Sequence, residues 1–268
     1  MSRLARVFQR CTEEGRAALV GYITAYDPDA DASLRRLSAA CAGGVDILEV
    51  GVPFSDPAAD GPEVQAAMVR ALDAGSSLPG VLDIIRTLRA QHDTPIVLFS
   101  YCNPLLSQAA GVDATMQAIA AAGVDALLVV DLPPESADLL RGPAASAGLS
   151  WIGLVAPTSS PARRARVLAH TTGFVYAVSL TGVTGTSLDT EDAALERYLR
   201  DLSAQSSVPV CVGFGVRDQA QVRALANLAD GVVVGSELIR AARRGDVAFV
   251  ETLSSLAAGL SRSAGGPP

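Results

Sequence analysis

Ile47-Leu-Glu-Val-Gly-Val-Pro-Phe-Ser-Asp-Pro-Ala-Ala-Asp-Gly-Pro-Glu-Val-Gln65 is the stretch from which the rest of the chain can be read. It begins as a short apolar run with one carboxylate inside it, Glu49, and passes into a Pro/Gly/Ser/Asp loop carrying Asp56 and Asp60. An ionised carboxylate inside a strand-like apolar segment loses its water and is costly. Either a cation compensates Glu49, or its pKa rises and it becomes useful for moving protons.

Outward from this stretch the same alternation repeats. Strand-like runs are expected at Ala18–Thr24, from Ile47, and at Pro95–Ser100, Asp125–Val130, Trp151–Val155, Phe174–Ser179, Val208–Val212 and Gly231–Val234. Between them lie helical patterns, several closed by glycine, as at Gly43-Gly44, Gly123 and Gly148. Continuous Val/Ile/Leu strands are what a parallel sheet covered on both faces requires. Eight such βα units predict an α/β fold, a single (β/α)8 TIM barrel over residues 1–260. A short amphipathic helix (Leu4, Val7, Phe8, Cys11) precedes the barrel, and an extra short helix starting within Gly235–Ile239 follows strand eight. A doubly wound open sheet is the alternative architecture, and residues 261–268 read as a disordered tail.

Composition narrows the chemistry. Hydrophobic residues make up 49% and charged residues 18%, which suits a chain that buries a large core. A formal net charge of -7 without an Arg-rich run argues against nucleic acid and anionic membrane surfaces as partners. There is no lysine, which excludes Schiff-base chemistry through a lysine amine. Cys11, Cys41, Cys102 and Cys211 lack metal-ligand spacing and read as buried thiols, and His92 and His170 read as surface residues, so no metal site is expected. No signal-peptide pattern and no bilayer-length apolar run are present, so the expectation is a soluble, cytoplasmic protein.

In a barrel the chemistry gathers at the C-terminal ends of the strands. Gly182-Val-Thr-Gly185, Gly213-Phe-Gly215 and Gly235-Ser236 all fall there, on successive loops. Glycines at such points let backbone N–H groups approach an anion, so a phosphate cradle is expected. Thr181–Thr190 is small, polar and long for a connection, which suits a lid. No arginine lies on the candidate strands to neutralise Glu49, which favours a proton-transfer role. Asp60, in the loop after the same strand, could face the same cavity.

The run Leu48–Pro62 closely resembles the signature of the tryptophan synthase alpha chain family. Tyr22-Ile-Thr24 with Asp27-Pro28, Asp131-Leu-Pro133 and the three glycine motifs match that family in order, over nearly the whole chain. The resemblance implies retro-aldol cleavage of indole-3-glycerol phosphate to indole and glyceraldehyde 3-phosphate. It implies Glu49 as the acid/base and Asp60 as the group that holds the indole N–H, with Tyr176 and Thr184 placing substrate and Asp60. Gly185, Gly213, Gly215, Gly235 and Ser236 would bind phosphate, and Tyr22, Phe99 and Leu128 would line the indole pocket. It also implies a beta-subunit partner in an alpha-beta heterotetramer, with pyridoxal phosphate only in that partner and no cofactor in this chain. The alternatives are a free-standing lyase that releases indole for secondary metabolism and a non-catalytic phosphate-binding regulatory barrel. Three positions depart from the family pattern: Gly21 where many members have Pro, Tyr26 where many have Gly, and Leu180 where several have a polar residue.

Overall fold

A computed structural model describes residues 1–178, 193–213 and 215–262. The strand segments are β1 (Ala18–Thr24), β2 (Ile47–Gly51), β3 (Ile96–Ser100), β4 (Ala126–Val129), β5 (Ser150–Trp151), β6 (Gly153–Val155), β7 (Val175–Val178), β8 (Val210–Gly213) and β9 (Gly231–Val234). All pair in parallel in the order β5-β4-β3-β2-β1-β9-β8-β7-β6. β5 and β6 are two pieces of the single run expected at Trp151–Val155, separated by Ile152. The first piece pairs with β4 and the second with β7, so the sheet comes round on itself at this one residue. An open doubly wound sheet is therefore set aside, and the fold is a TIM barrel.

Strand side chains alternate between two cores. Leu19, Leu48, Val50, Leu98 and Leu127 point outward into the layer shared with the helices. Val20, Tyr22, Ile47, Val97, Phe99, Leu128 and Phe174 fill the barrel interior. Glu49 lies on β2 two residues beyond inward-facing Ile47, in register with Tyr22 of β1 and Val97 of β3. The position that would continue an apolar layer thus carries a carboxyl group.

The N-terminal helix α1 (Arg3–Glu13) closes the interior from below. Ser2 caps it by accepting from the Ala5 N–H, and Leu4, Val7, Phe8 and Cys11 form its buried stripe. Phe8 meets Phe174 edge-on, with ring centroids 6.0 Å apart. Asp46, just before β2, ties this end together. It accepts from Arg10 at 2.7 Å, from Arg16 at 2.6 and 2.8 Å, and from the Leu19 N–H at 2.9 Å. Burial works against the Asp46 carboxylate, but these bonds, led by Arg16, outweigh it and hold its pKa below the ordinary value.

The other helices follow the βα alternation: α2 (Ala30–Ala42), α3 (Pro62–Asp73), α4 (Leu78–Arg89), α5 (Cys102–Leu106), α6 (Val112–Ala121), α7 (Asp138–Ser146), α8 (Pro161–His170), α9 (Ala193–Gln205), α10 (Gln219–Ala226), α11 (Ser236–Arg244) and α12 (Asp246–Ala257). Pro62 and Pro161 stand in the first turns of α3 and α8, where the missing N–H is harmless. None of the helices among the described residues is long and apolar enough to cross a membrane.

Several expectations are corrected. α5 has no counterpart in the sequence reading, because five residues are too few to show a period. The helix expected to start at Gly235–Ile239 after strand eight is α11, which runs on to Arg244. The tail does not part from the barrel at Ser261: this residue bridges to Arg16, and Arg262 donates to the carbonyls of Ala226 and Ala229. Cys41 and Cys102 are half-buried rather than buried, although all four cysteines are free thiols. His92 is also half-buried, its Nε2 2.7 Å from the Ser38 hydroxyl. Tyr26 has φ of 65°, a left-handed conformation that suits the glycine common in the resembling family better than a bulky residue.

Asp46→Ala removes the acceptor of two guanidinium groups and one buried N–H. A loss of about 3 kcal/mol in unfolding free energy is expected. Urea denaturation measures it, with the opposite end of the barrel unaltered.

Candidate active site

At the C-terminal ends of the strands a cavity of about 530 Å³ opens, a volume suited to a small organic ligand. β1 contributes Tyr22, β2 Glu49, β3 Phe99, β7 Tyr176, and the loops after β8 and β9 contribute Gly215, Gly235 and Ser236. Asp60 comes from the loop between β2 and α3. Eight of the twelve residues proposed from sequence therefore share one wall-to-wall space.

Glu49 is 1% exposed, and its Oε1 is buried without a hydrogen-bond partner among the described residues. Burial, and secondarily the nearby charge of Asp60, pushes its pKa up to about 8. A proton held with that affinity can be given and retaken near neutral pH, which is what a general acid/base requires.

Asp60 is held differently. Its loop is folded by Asp60 N–H to Pro57 carbonyl (3.0 Å) and by Gln65 Nε2 donating to the Asp60 carbonyl (2.8 Å). Tyr101, at the end of β3, donates its hydroxyl proton to Asp60 Oδ2 at 2.6 Å and accepts from the Ala59 N–H at 3.0 Å. Phe54 packs on the Tyr101 ring, with centroids 5.1 Å apart. Burial raises the Asp60 carboxyl to about 6 against the lowering effect of the Tyr101 hydrogen bond. Two carboxyls thus stand in one cavity with separated proton affinities. That separation lets one serve as acid while the other is ionised. Asp56, by contrast, is exposed and accepts from the adjacent Ser55 hydroxyl.

On the aromatic side, Tyr22 and Phe99 meet edge-on at 5.0 Å, and the Tyr22 hydroxyl lies 3.2 Å from the Thr24 hydroxyl. The opposite side has the character of an anion cradle. Gly215 has φ of 70°, which only glycine adopts without strain, and Gly235 caps α11, whose first residue is Ser236.

Four proposed residues are not among those lining the cavity. Leu128 is fully buried in the barrel interior in register with Phe99. Gly213 lies behind the wall: a methyl group there would come within 2.6 Å of the Tyr176 hydroxyl and 2.7 Å of Val233 Cβ. Its lack of a side chain therefore sets where Tyr176 lies. Thr184 and Gly185, with Leu180 and the whole lid stretch Thr181–Thr190, lie outside the described residues.

Tyr101 and Arg163 were not anticipated from sequence. Tyr101 directly follows β3 at the C-terminal face of the barrel, a position that could have marked it. Arg163, which lines the cavity from the first turn of α8, carried no comparable mark. Among the described residues no group of three or more His, Cys, Asp or Glu is placed to hold a metal.

A family model described as "Tryptophan synthase alpha chain" matches residues 8–258. The tryptophan synthase alpha chain of Halorhodospira halophila is 48% identical over 241 residues, covering 90% of this chain and 87% of the relative. That of Gluconacetobacter diazotrophicus is 48% identical over 240 residues, covering 89% and 86%. Among solved structures, Mycobacterium tuberculosis tryptophan synthase superposes with a TM-score of 0.90 at 38% identity, over 98% of this chain and 99% of that one.

The raised Glu49 pKa has a consequence for stability. Between about pH 4.5 and 8 the folded chain keeps a proton on Glu49 that the unfolded chain releases, so this residue's effect is to lower stability as pH rises through that window. Glu49→Gln removes the effect. The variant is expected to match wild type at pH 4 and to exceed it by about 3–5 kcal/mol above pH 8. Asp60 acts in the same sense in both proteins, and its charge enters the comparison only as the smaller of the two causes that raise the Glu49 pKa. Denaturant titrations at the two pH values measure the difference.

Proposed function

Because this chain belongs to the tryptophan synthase alpha chain family and is a lyase that cleaves indole-3-glycerol phosphate, we propose that Glu49 and Asp60 divide that reaction between them. The observation that carries this reading is the buried Glu49 carboxyl, whose Oε1 has no hydrogen-bond partner among the described residues, sharing a cavity with an Asp60 that Tyr101 holds.

Protonated Glu49 gives its proton to C3 of the indole ring. The ring becomes an indoleninium-like cation, and ionised Asp60 stabilises the positive N–H. The Glu49 carboxylate then takes the proton of the glycerol hydroxyl beside the bond that breaks. The C–C electrons return to the ring, and the products are indole and the aldehyde of glyceraldehyde 3-phosphate. One carboxyl serves both transfers and is regenerated protonated.

Tyr22 and Phe99 form the aromatic wall for the indole, with Leu128 beside Phe99 on the neighbouring strand. Tyr176 faces the substrate, and Gly213 sets its position. Gly215, Gly235 and Ser236, joined by Gly185, hold the phosphate through backbone N–H groups, the Ser236 hydroxyl and the start of α11. Thr184 places Asp60 from the lid. Residues 1–260 form one catalytic domain in this reading.

The partner is a tryptophan synthase beta subunit in an alpha-beta heterotetramer, in the cytoplasm. Pyridoxal phosphate belongs to that subunit: a chain without lysine has no side-chain amine with which to form the Schiff base that usually holds it. Indole release by the isolated chain, measured with and without added beta subunit, tests the partnership. Acceleration on addition supports it, and a high rate that addition leaves unchanged overturns it.

Three outcomes test the residue roles. Glu49→Gln is expected to lower kcat on the order of 10²–10⁴-fold without unfolding the protein. In wild type, kcat/KM is expected to rise as Asp60 ionises near pH 6 and to fall as Glu49 loses its proton near pH 8. Tyr101→Phe removes the bond that lowers the Asp60 pKa, so the acid limb moves to higher pH and kcat/KM falls roughly tenfold. An unmoved acid limb would show that Tyr101 does not hold the Asp60 charge.

A further inference from the structure

The substrate is a phosphate dianion, and the chain that must capture it carries a formal net charge of -7. Its cavity holds two carboxyl groups, so the local field opposes entry whenever either is ionised. Among the described residues lining the cavity, Arg163 alone carries a formal positive charge.

The position of Arg163 is not explained by helix stability. Ser160 caps α8 by accepting from the Arg163 N–H at 3.3 Å, which puts Arg163 in the first turn. That turn contains no acidic residue, and a cation there opposes the helix dipole. Nor do the described residues tie the guanidinium down. Its ion pair with Glu135 is 3.9 Å long between two half-exposed side chains, a geometry that contributes little in water. Arg166 approaches the same Glu135 at 3.7 Å, so Glu135 keeps a partner when Arg163 turns away. Arg163 also lines a second cavity beside the first, of about 380 Å³, and its side chain therefore stands on the wall between them.

We propose that Arg163 is the cavity's electrostatic recruiter: its guanidinium draws the phosphate end of the substrate to the mouth and hands it to the backbone cradle across the ring. This rests on the cleavage of indole-3-glycerol phosphate proposed above and adds a capture step to it. Arg163 touches neither reacting carbon. Its effect belongs in kcat/KM and in the response to salt, with kcat unchanged.

The test is steady-state indole release from indole-3-glycerol phosphate by the full chain with beta subunit, across a range of NaCl concentrations. Arg163→Gln is expected to lower kcat/KM about tenfold at low salt, to flatten its salt dependence, and to leave kcat within about twofold. Arg163→Lys is expected to keep most of the salt dependence. Arg166→Gln changes net charge equally and loses the same kind of Glu135 pair, but Arg166 lines only the second cavity. It is expected to behave as wild type. Equal losses in Arg163→Gln and Arg166→Gln, an unchanged salt response in Arg163→Gln, or a loss confined to kcat each overturn the recruiting role while leaving the Glu49 and Asp60 assignments intact. Wild-type protein that releases no indole overturns both readings together.

Discussion

A carboxyl group placed where a barrel wants a hydrocarbon governs the rest of this structure. The inward-facing side chains around Glu49 are apolar or aromatic, and none of the described residues supplies a cation or a hydrogen bond to its Oε1. The ionised form is therefore penalised, and the proton stays on until the pH approaches 8. Such a site costs stability, which the remaining interior has to offset. It does so with an otherwise apolar inner core, an N-terminal helix seated across the lower end, and a tight Asp46–arginine cluster at that end. Stability is concentrated at one end of the barrel and reactivity at the other, a division common to this fold.

Asp60 is the counterpart, and its difference from Glu49 comes from its surroundings. Glu49 sits on a rigid strand with Oε1 unpartnered. Asp60 sits on a loop and receives a short hydrogen bond from Tyr101, a residue 41 positions away in sequence. The bond opposes the effect of burial, so Asp60 gives up its proton before Glu49 does. A cavity with one protonated and one ionised carboxyl then follows from two local environments, with the chain supplying the same functional group twice.

Much of the fold was legible because barrel strands are buried on both faces. Leu127 and Leu128 are both hidden, one facing the helices and the other the interior, so the strand reads as an unbroken apolar run. Glu49 was legible for the converse reason, as a charge interrupting such a run. α5 was not, because Cys102–Leu106 spans little more than one turn and has no face to repeat. The division of the fifth strand at Ile152 was hidden too, since a change of pairing partner leaves no trace in the hydrophobicity of one strand. Arg163 is a common surface residue type, and its misfit with the α8 dipole became informative only once the structure placed it in the cavity wall.

The sequence by itself determined the alternation that makes a barrel, the absence of any lysine, the lone carboxylate in the second strand, and the ordered motifs that mark the family. These are properties of neighbouring residues, and periodicity or local composition records them. Only the tertiary structure decided that Tyr101 meets Asp60, that Gly213 leaves room for Tyr176 rather than lining the cavity, and that Leu128 lies beside Phe99 on the neighbouring strand. Those relations depend on strand register and ring closure, which bring together side chains from separate strands and loops. Proton affinities depend on them in turn, because a pKa is set by what surrounds a group in space and not by what precedes it in the chain.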